Sequence, residues 1–312
     1  QWTRSYVDEA YLWYNEAPKL NPVTSTSTPQ NFFDNLTVLG VPTKDKFSFT
    51  YDTAAWNQLI NAGVTAGYGV EWAVTSPPRT LPRVFRVAYT EPNSPAAVFN
   101  IPRGATLLAV NGVSINVNTQ AGIDTLIAGL QPSGPGIVTT FQIQDLGAST
   151  ARNIQMTSAN VTSTPVLDVR SGVIGGVNFG YILFNDHLAS AESQLIDAVN
   201  QLKAKNIQEL VLDLRYNGGG YLYIAQGLGY MIANPSINGR VFTKLRFNDK
   251  RVADNNTPPA LFSSNADAGG ALPQLGLSRV YVLTTGSTCS ASESIMNALR
   301  PFVSVVQIGT TT

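Results

Sequence analysis

The stretch "QELVLDLRYNGGGYLYIAQGLGYMIANP", Gln208 to Pro235, decides the fold. It opens on an apolar run of strand length, turns through Asn217-Gly218-Gly219-Gly220, and continues as an apolar pattern of helical length that Pro235 ends. The same succession surrounds it. Upstream, "NFGYILF" (178–184) reads as a strand, and "ASAESQLIDAVNQLKAKN" (189–206) as a helix with Leu195, Ile196, Val199 and Leu202 apolar. Downstream, "RVYVLTT" (279–285) and "VSVVQIG" (303–309) read as strands on either side of "GSTCSASESIMNALRPF" (286–302), whose latter part is helical. Strands alternating with helices predict a layered α/β core.

Two of these segments place small residues where a strand gives way to a helix, and ligand sites of open α/β sheets collect at such points. In the first, the glycine run lets the backbone turn sharply and brings bare N–H groups to the surface, as an oxyanion site requires; it is equally a flexible strand-to-helix connection. A phosphate-binding loop would end in Gly-Lys-Ser/Thr, and "GGGYL" does not. In the second, Ser290-Ala291-Ser292-Glu293 fits a capping box, which by itself accounts for Ser290 and Glu293. The same serine stands beside unpaired amides at the positive end of a helix, where negative charge on an acyl oxygen would be stabilised. One residue can serve both ends.

With 312 residues the chain can bury a sizeable core, and its length suggests two domains with a small accessory piece. Apolar residues make up 44% and charged residues 13%, the composition of an ordinary folded protein. Twenty basic residues balance twenty acidic ones, so no broad charge points to nucleic acid or an anionic membrane. One cysteine, Cys289, excludes an internal disulfide, and one histidine, His187, leaves too few ligands for the usual His/Cys metal site; no cofactor is expected. A Ser-His pair would have to use His187. Apolar runs fall short of the roughly 20 residues that span a bilayer. Gln1 opens no signal-peptide pattern, and abundant Asn, Thr, Ser and Gln with scarce Lys suggest an exported bacterial protein whose signal segment has been removed.

The beginning of the chain reads as helical. "WTRSYVDEAYLWYNEAPKL" (2–20) repeats Trp2, Tyr6, Ala10, Trp13 and Tyr14 near one face, predicting core packing, until Pro18 and Pro22. Further short helices are expected over 29–40, ending at Gly40, and over 53–63, ending at Gly63. From Gly67 the period changes. "GYGVEWAV", "RVFRVAYT", "ATLLAVNGVSI" and "VTTFQIQDL" read as strands, "SPAAVF" as a helical turn and "TQAGIDTLIAGL" as a helix, followed by a linker-like "NVTSTPV".

This order of parts, with "EPNSPAAVFNIPRGATLLAVNGVSI", resembles a PDZ domain of the bacterial protease type, although Arg103-Gly104-Ala105 replaces the acidic residue usual there. Asn111-Gly112 still supplies the tight turn. The resemblance implies capture of extended peptide ends by strand addition, with Tyr68, Gly69 and Val70 as the carboxylate loop. Gly69 could equally be a strand-entry glycine.

"ELVLDLRYNGGGYLYIAQGLGYMI" followed by "VYVLTTGSTCSASESIMNALRPFVSVVQIGTTT" resembles the carboxyl-terminal processing (tail-specific) proteases, the serine peptidase family related to the tricorn core. The resemblance implies an α/β (α+β) layered protease core with an inserted β-rich PDZ-like domain and a small helical N-terminal segment, divided as 1–66 (helical), 67–160 (PDZ-like) and 161–312 (peptidase core). It implies Ser290 as nucleophile and the N–H groups of Gly219 and Ala291 as oxyanion donors, with Gly218 standing where many members have proline. Its base is a lysine in a Gly-Lys pair after "VVQIGTTT", beyond Thr312; a core of this kind also needs further closing strands. Partners would be protein or peptide substrates with free C-termini, in the periplasm or cell envelope.

Other candidates read as structural. His187 is expected at the surface or as a cap, Lys244 on a solvent-facing strand, Cys289 as a small buried residue, and Asp213 with Arg215 as ion pairs bracing the glycine turn. The alternative of a different class is a non-catalytic peptide-binding module with a protease-like crevice.

Overall fold

The computed structural model describes residues 1–22, 28–36, 45, 48–74 and 80–312. Its contacts divide the chain into two units, 1–56 with 239–262, and 57–238 with 263–312.

The first unit holds helices α1 (Trp2–Ala10) and α2 (Pro29–Leu36) and a short antiparallel pair, in chain order β12 (Val241–Thr243) and β13 (Ala260–Leu261). The aromatic stripe predicted to be core is not. Helix α1 stops at Ala10 because Tyr11 is extended, so Trp13 and Tyr14 leave its face. Trp2 and Tyr6 stack on each other at 5.2 Å with both rings exposed, while Val7, Ala17, Phe32 and Leu36 make the small core. The Asn248 side chain donates to the Glu9 and Tyr11 carbonyls, tying 239–262 to this segment. Lys244 is exposed just past β12, not on it. The predicted stop at Gly40 lies outside the described residues.

Helix α3 (Thr53–Ala62) leads into the second unit and ends at Gly63 as the sequence predicts. There β1 (Val64–Gly67) pairs antiparallel with β8 (Ala159–Thr162), so the stretch that looked like a linker begins with a strand. Between them lies a sheet in the order β2-β3-β4-β6-β7, built from β2 (Val70–Val74), β3 (Phe85–Thr90), β4 (Thr106–Val110), β6 (Val138–Gln144) and β7 (Arg152–Thr157); β5 (Val113–Ser114) hairpins onto β4 through Asn111-Gly112. Helix α4 (Gln120–Leu130), capped by the Thr119 hydroxyl, contributes Leu126 to a core with Leu107, Phe141, Ile143, Ile154 and Met156.

The remainder is a five-stranded sheet in the order β15-β14-β11-β10-β9, formed by β9 (Val166–Ile174), β10 (Val177–Phe184), β11 (Glu209–Asp213), β14 (Arg279–Thr284) and β15 (Ser304–Gly309). Only β9 runs antiparallel. Helices α5 (Ala191–Lys203), α6 (Leu222–Ile232) and α7 (Ala291–Leu299) cover it, burying Leu195, Val199, Leu228, Ile295 and Leu299 with Ile182, Leu212 and Val282. The layered α/β reading of 178–309 holds. The nine residues of β9 carried no alternation that separated them from a loop. No helix among the described residues is long and apolar enough to cross a membrane.

Candidate functional site

Strands β11 and β14 are parallel neighbours, so the segments that leave their C-terminal ends emerge side by side. Leu214 N–H donates to the Leu283 carbonyl (3.0 Å), Thr288 Oγ1 donates to the Leu214 carbonyl (2.8 Å), and the Asn217 carbonyl accepts from Cys289 N–H (3.3 Å) and Ser292 Oγ (3.1 Å). The glycine turn and the start of α7 therefore face each other. At Gly219 (φ +109°) an added Cβ would lie 2.7 Å from Ser290 Cβ and 3.0 Å from Ala291 N, which only glycine avoids. Sequence reasoning paired these loops, and the structure brings them together.

Ser290 is exposed and has φ 56° and ψ −116°, a conformation that costs a non-glycine residue about 1–3 kcal/mol. A serine held this way between a strand and a helix projects its hydroxyl outward. The capping-box arrangement is present, but the two halves differ. The Glu293 carboxylate accepts from Ser290 N–H at 3.0 Å, whereas Glu293 N–H donates to the Ser290 carbonyl rather than forming a cap bond to its hydroxyl. The other Glu293 oxygen accepts from Thr312 Oγ1 at 2.9 Å. Ala291 supplies the first amide of α7, one of those a helix leaves without an internal partner.

Behind the turn the expectations need correction. His187 is neither on the surface nor a cap: it is fully buried, its ring 4.5 Å from that of Phe184. Its Nδ1 meets Asn217 Oδ1 at 2.9 Å, and its Nε2 has no hydrogen-bond partner among the described residues, so it forms no pair with Ser290. Burial pushes its pKa down to about 4. Asn217 Oδ1 also accepts from Gly219 N–H (3.0 Å), and its Nδ2 donates to the Phe184 carbonyl (3.0 Å). The amide assigned to the oxyanion thus has an internal acceptor here. Cys289 is half-buried rather than buried. Asp213 and Arg215 do pair, at 2.5 Å, and Tyr181 OH donates to the same carboxylate (2.7 Å). Burial alone would raise the Asp213 pKa; the hydrogen bonds from Arg215 and Tyr181 prevail and hold it below the usual range.

In the β-rich region, Tyr68 is buried and donates to Thr139 Oγ1 (2.7 Å), Gly69 has φ +76°, and Val70 begins β2, which is an edge strand. A Cβ on Gly69 would lie 2.2 Å from Ser94 Cβ. A cavity of about 270 Å³ runs past all three residues and is also lined by Glu71, Tyr89, Glu91, Leu130 and Asp186. Glu71 keeps exposed surface, and partial withdrawal from water, then the charges of Asp186 and Glu91, push it up to about 7; partial burial raises Asp186 to about 6, and burial also raises Glu91. This acidic lining was invisible in sequence because its members are far apart along the chain. Arg103, which departs from the PDZ pattern, donates to Tyr216 OH at 2.7 Å, so the β-rich region touches the residue preceding Asn217.

Residues 178–312 match the model of peptidase family S41, and residues 1–49 match the model of the peptidase S41 N-terminal domain. Together they span more than half of the chain. The chain belongs to peptidase family S41. A carboxyl-terminal-processing protease of Picosynechococcus sp. is 25% identical over 217 residues, 70% of this chain and 47% of that protein; the chain spans about half the length of this curated relative. A solved Bacteroides fragilis structure described as an S41 protease is 25% identical with a TM-score of 0.68, covering 100% of this chain and 78% of the other. The photosystem II D1 C-terminal processing protease, 19% identical with a TM-score of 0.52 over 96% of this chain and 77% of its own, shares the fold. In this S41 chain the family model takes in both Gly219 and Ser290.

Proposed function

We propose that the protein is a serine endopeptidase of the tail-specific type that cleaves unstructured or C-terminal protein segments through an acyl-enzyme on Ser290. The observation that carries this reading is the approach of Gly219 to a strained, exposed Ser290 at the head of α7. Ser290 Oγ adds to the substrate carbonyl carbon and gives up its proton to a base; the amine leaves with a proton, and water hydrolyses the ester. Negative charge on the tetrahedral oxygen falls to the Ala291 amide and to the Gly219 amide. The base is a lysine carried beyond Thr312, neutral through burial. The Thr312–Glu293–Ser290 hydrogen-bond chain supports this, since it holds the segment that follows β15 next to the serine.

Residues 67–160 act as a PDZ-like substrate domain between the helical segment 1–66 and the peptidase core 161–312. Edge strand β2 favours strand addition of an extended peptide, beside Tyr68, Gly69 and Val70. The substrates are proteins with free C-termini, met in the periplasm or envelope after export. In the full-length protein, a fluorophosphonate should label Ser290 and Ser290→Ala should abolish hydrolysis of a peptide with an apolar C-terminus; persistent cleavage overturns the assignment.

One observation favours a second reading, a peptide-binding module without hydrolysis: Gly219 N–H already donates to Asn217. Peptide binding with no labelling of Ser290 would select it.

A further inference from the structure

We propose that Asn217, oriented by His187, is a latch on the Gly219 amide, and that His187 is a positioning residue which lets that amide pass to the substrate's carbonyl oxygen. This rests on the reading of Ser290 as nucleophile.

The orientation of the Asn217 carboxamide follows from its surroundings. Nδ2 donates to the Phe184 carbonyl, so the other end is the oxygen, and an oxygen can only accept. His187 must then carry its proton on Nδ1, with Nε2 bare. Asn217 Oδ1 holds two donors, the His187 imidazole and the Gly219 amide, which fill its two lone pairs. The side chain is completely buried, and water cannot replace either donor.

The backbone is pinned on both sides of the Gly218–Gly219 peptide unit, since the Asn217 carbonyl before it accepts from Cys289 N–H and Ser292 Oγ. His187 N–H donates to the Gly219 carbonyl (3.0 Å) and Tyr221 N–H to the His187 carbonyl (2.9 Å), which fixes the peptide units that follow. The unit carrying Gly219 N–H lies between Gly218 and Gly219, and its rotation uses only glycine torsions, which have little steric barrier. Gly218 is exposed and a Cβ there would meet nothing within 4 Å, so the rotating unit has room. When the amide turns from Asn217 to a tetrahedral oxyanion, Oδ1 keeps the His187 donor. With no donor at position 187 the same movement would strip a buried carbonyl of its last partner, which is costly.

His187 is the only histidine among residues 1–312, so its resonances in the ¹⁵N-histidine NMR spectrum of the full-length protein are those missing from the spectrum of His187→Asn. The free protein is expected to show the neutral Nδ1–H tautomer. A peptidyl boronic acid is then added; boron takes the Ser290 Oγ lone pair, the hydroxyl proton is released to solvent, and a boronate oxygen stands where the oxyanion would be. The Nδ1–H resonance should shift as that group becomes the sole donor to Asn217. The Nε2–H tautomer, or an adduct that leaves the imidazole resonances unmoved, overturns the latch. Absence of any adduct overturns the nucleophile reading and the latch with it. In kinetics, His187→Leu should lower kcat about tenfold or more with KM changed less than twofold, and His187→Asn, whose amide can replace Nδ1–H, should recover most of the loss. Equal activity of His187→Leu and the parent overturns the inference; if His187→Leu does not fold, the spectroscopic test decides alone.

Discussion

Gly219 lies so close to Ser290 that a methyl group on it would reach within 2.7 Å of the serine Cβ. Gly219→Ala therefore both clashes and strains a backbone at φ +109°. The variant should lose roughly 1–3 kcal/mol of stability and label with fluorophosphonate at least about tenfold more slowly, with its circular dichroism unchanged.

Ser290 has a backbone conformation suited to glycine. Ser290→Gly should abolish acylation and raise stability by about 1 kcal/mol, whereas Ser290→Ala abolishes acylation without that gain. Denaturant midpoints of the two variants test the difference. Equal midpoints would mean that the serine is not strained.

A half-buried carboxyl and a buried imidazole make stability depend on pH in opposite directions. The Asp186 carboxyl, at about 6 in the fold, keeps its proton between pH 4 and 6 while the unfolded chain has lost it, so its contribution falls as pH rises through that window. His187, at about 4, refuses a proton that the unfolded chain binds below 6.5, so its contribution is lost as pH falls from 6.5 toward 4. In Asp186→Asn the first effect is gone. Melting temperature should drop more steeply than in the parent on acidification from pH 6 to 4.5, by an amount corresponding to roughly 1–2 kcal/mol.

The cavity beside Gly69 is ringed by Glu71, Glu91 and Asp186, which bears on the kind of peptide end it accepts. A terminal carboxylate there meets negative charge unless those groups are protonated. Binding of a free-acid peptide should tighten several-fold from pH 7.5 to pH 5.5, while its C-terminal amide should change little. Fluorescence anisotropy of the two peptides measures this. Gly69→Ala, which drives a Cβ into Ser94, should weaken both.

Much of the core was legible because its signals are local. The apolar run of Leu210 to Leu212, the glycines after Asn217 and the serine before α7 each declare a strand, a turn or a helix start within a few residues, and parallel pairing then places the two loops together. What stayed hidden depends on distant partners. His187 looked like a boundary residue because sequence cannot show the Phe184 ring and the Asn217 carboxamide that close over it. Trp2 and Tyr6 fitted a helical stripe, yet the helix ends before the stripe is long enough to need a second layer. The carboxylates at 71, 91 and 186 carry no common spacing and meet only because β2, the end of β3 and the end of β10 converge.

The antiparallel pairing of β1 with β8 brings Gly63 and Ser163 together, and Ser163 N–H donates to the Gly63 carbonyl at 2.7 Å. The roughly hundred residues between them enter and leave through one doorway. A tight turn grafted across it would excise that whole region and leave all five strands of the neighbouring sheet in place, and another domain with adjoining ends could be exchanged into the gap.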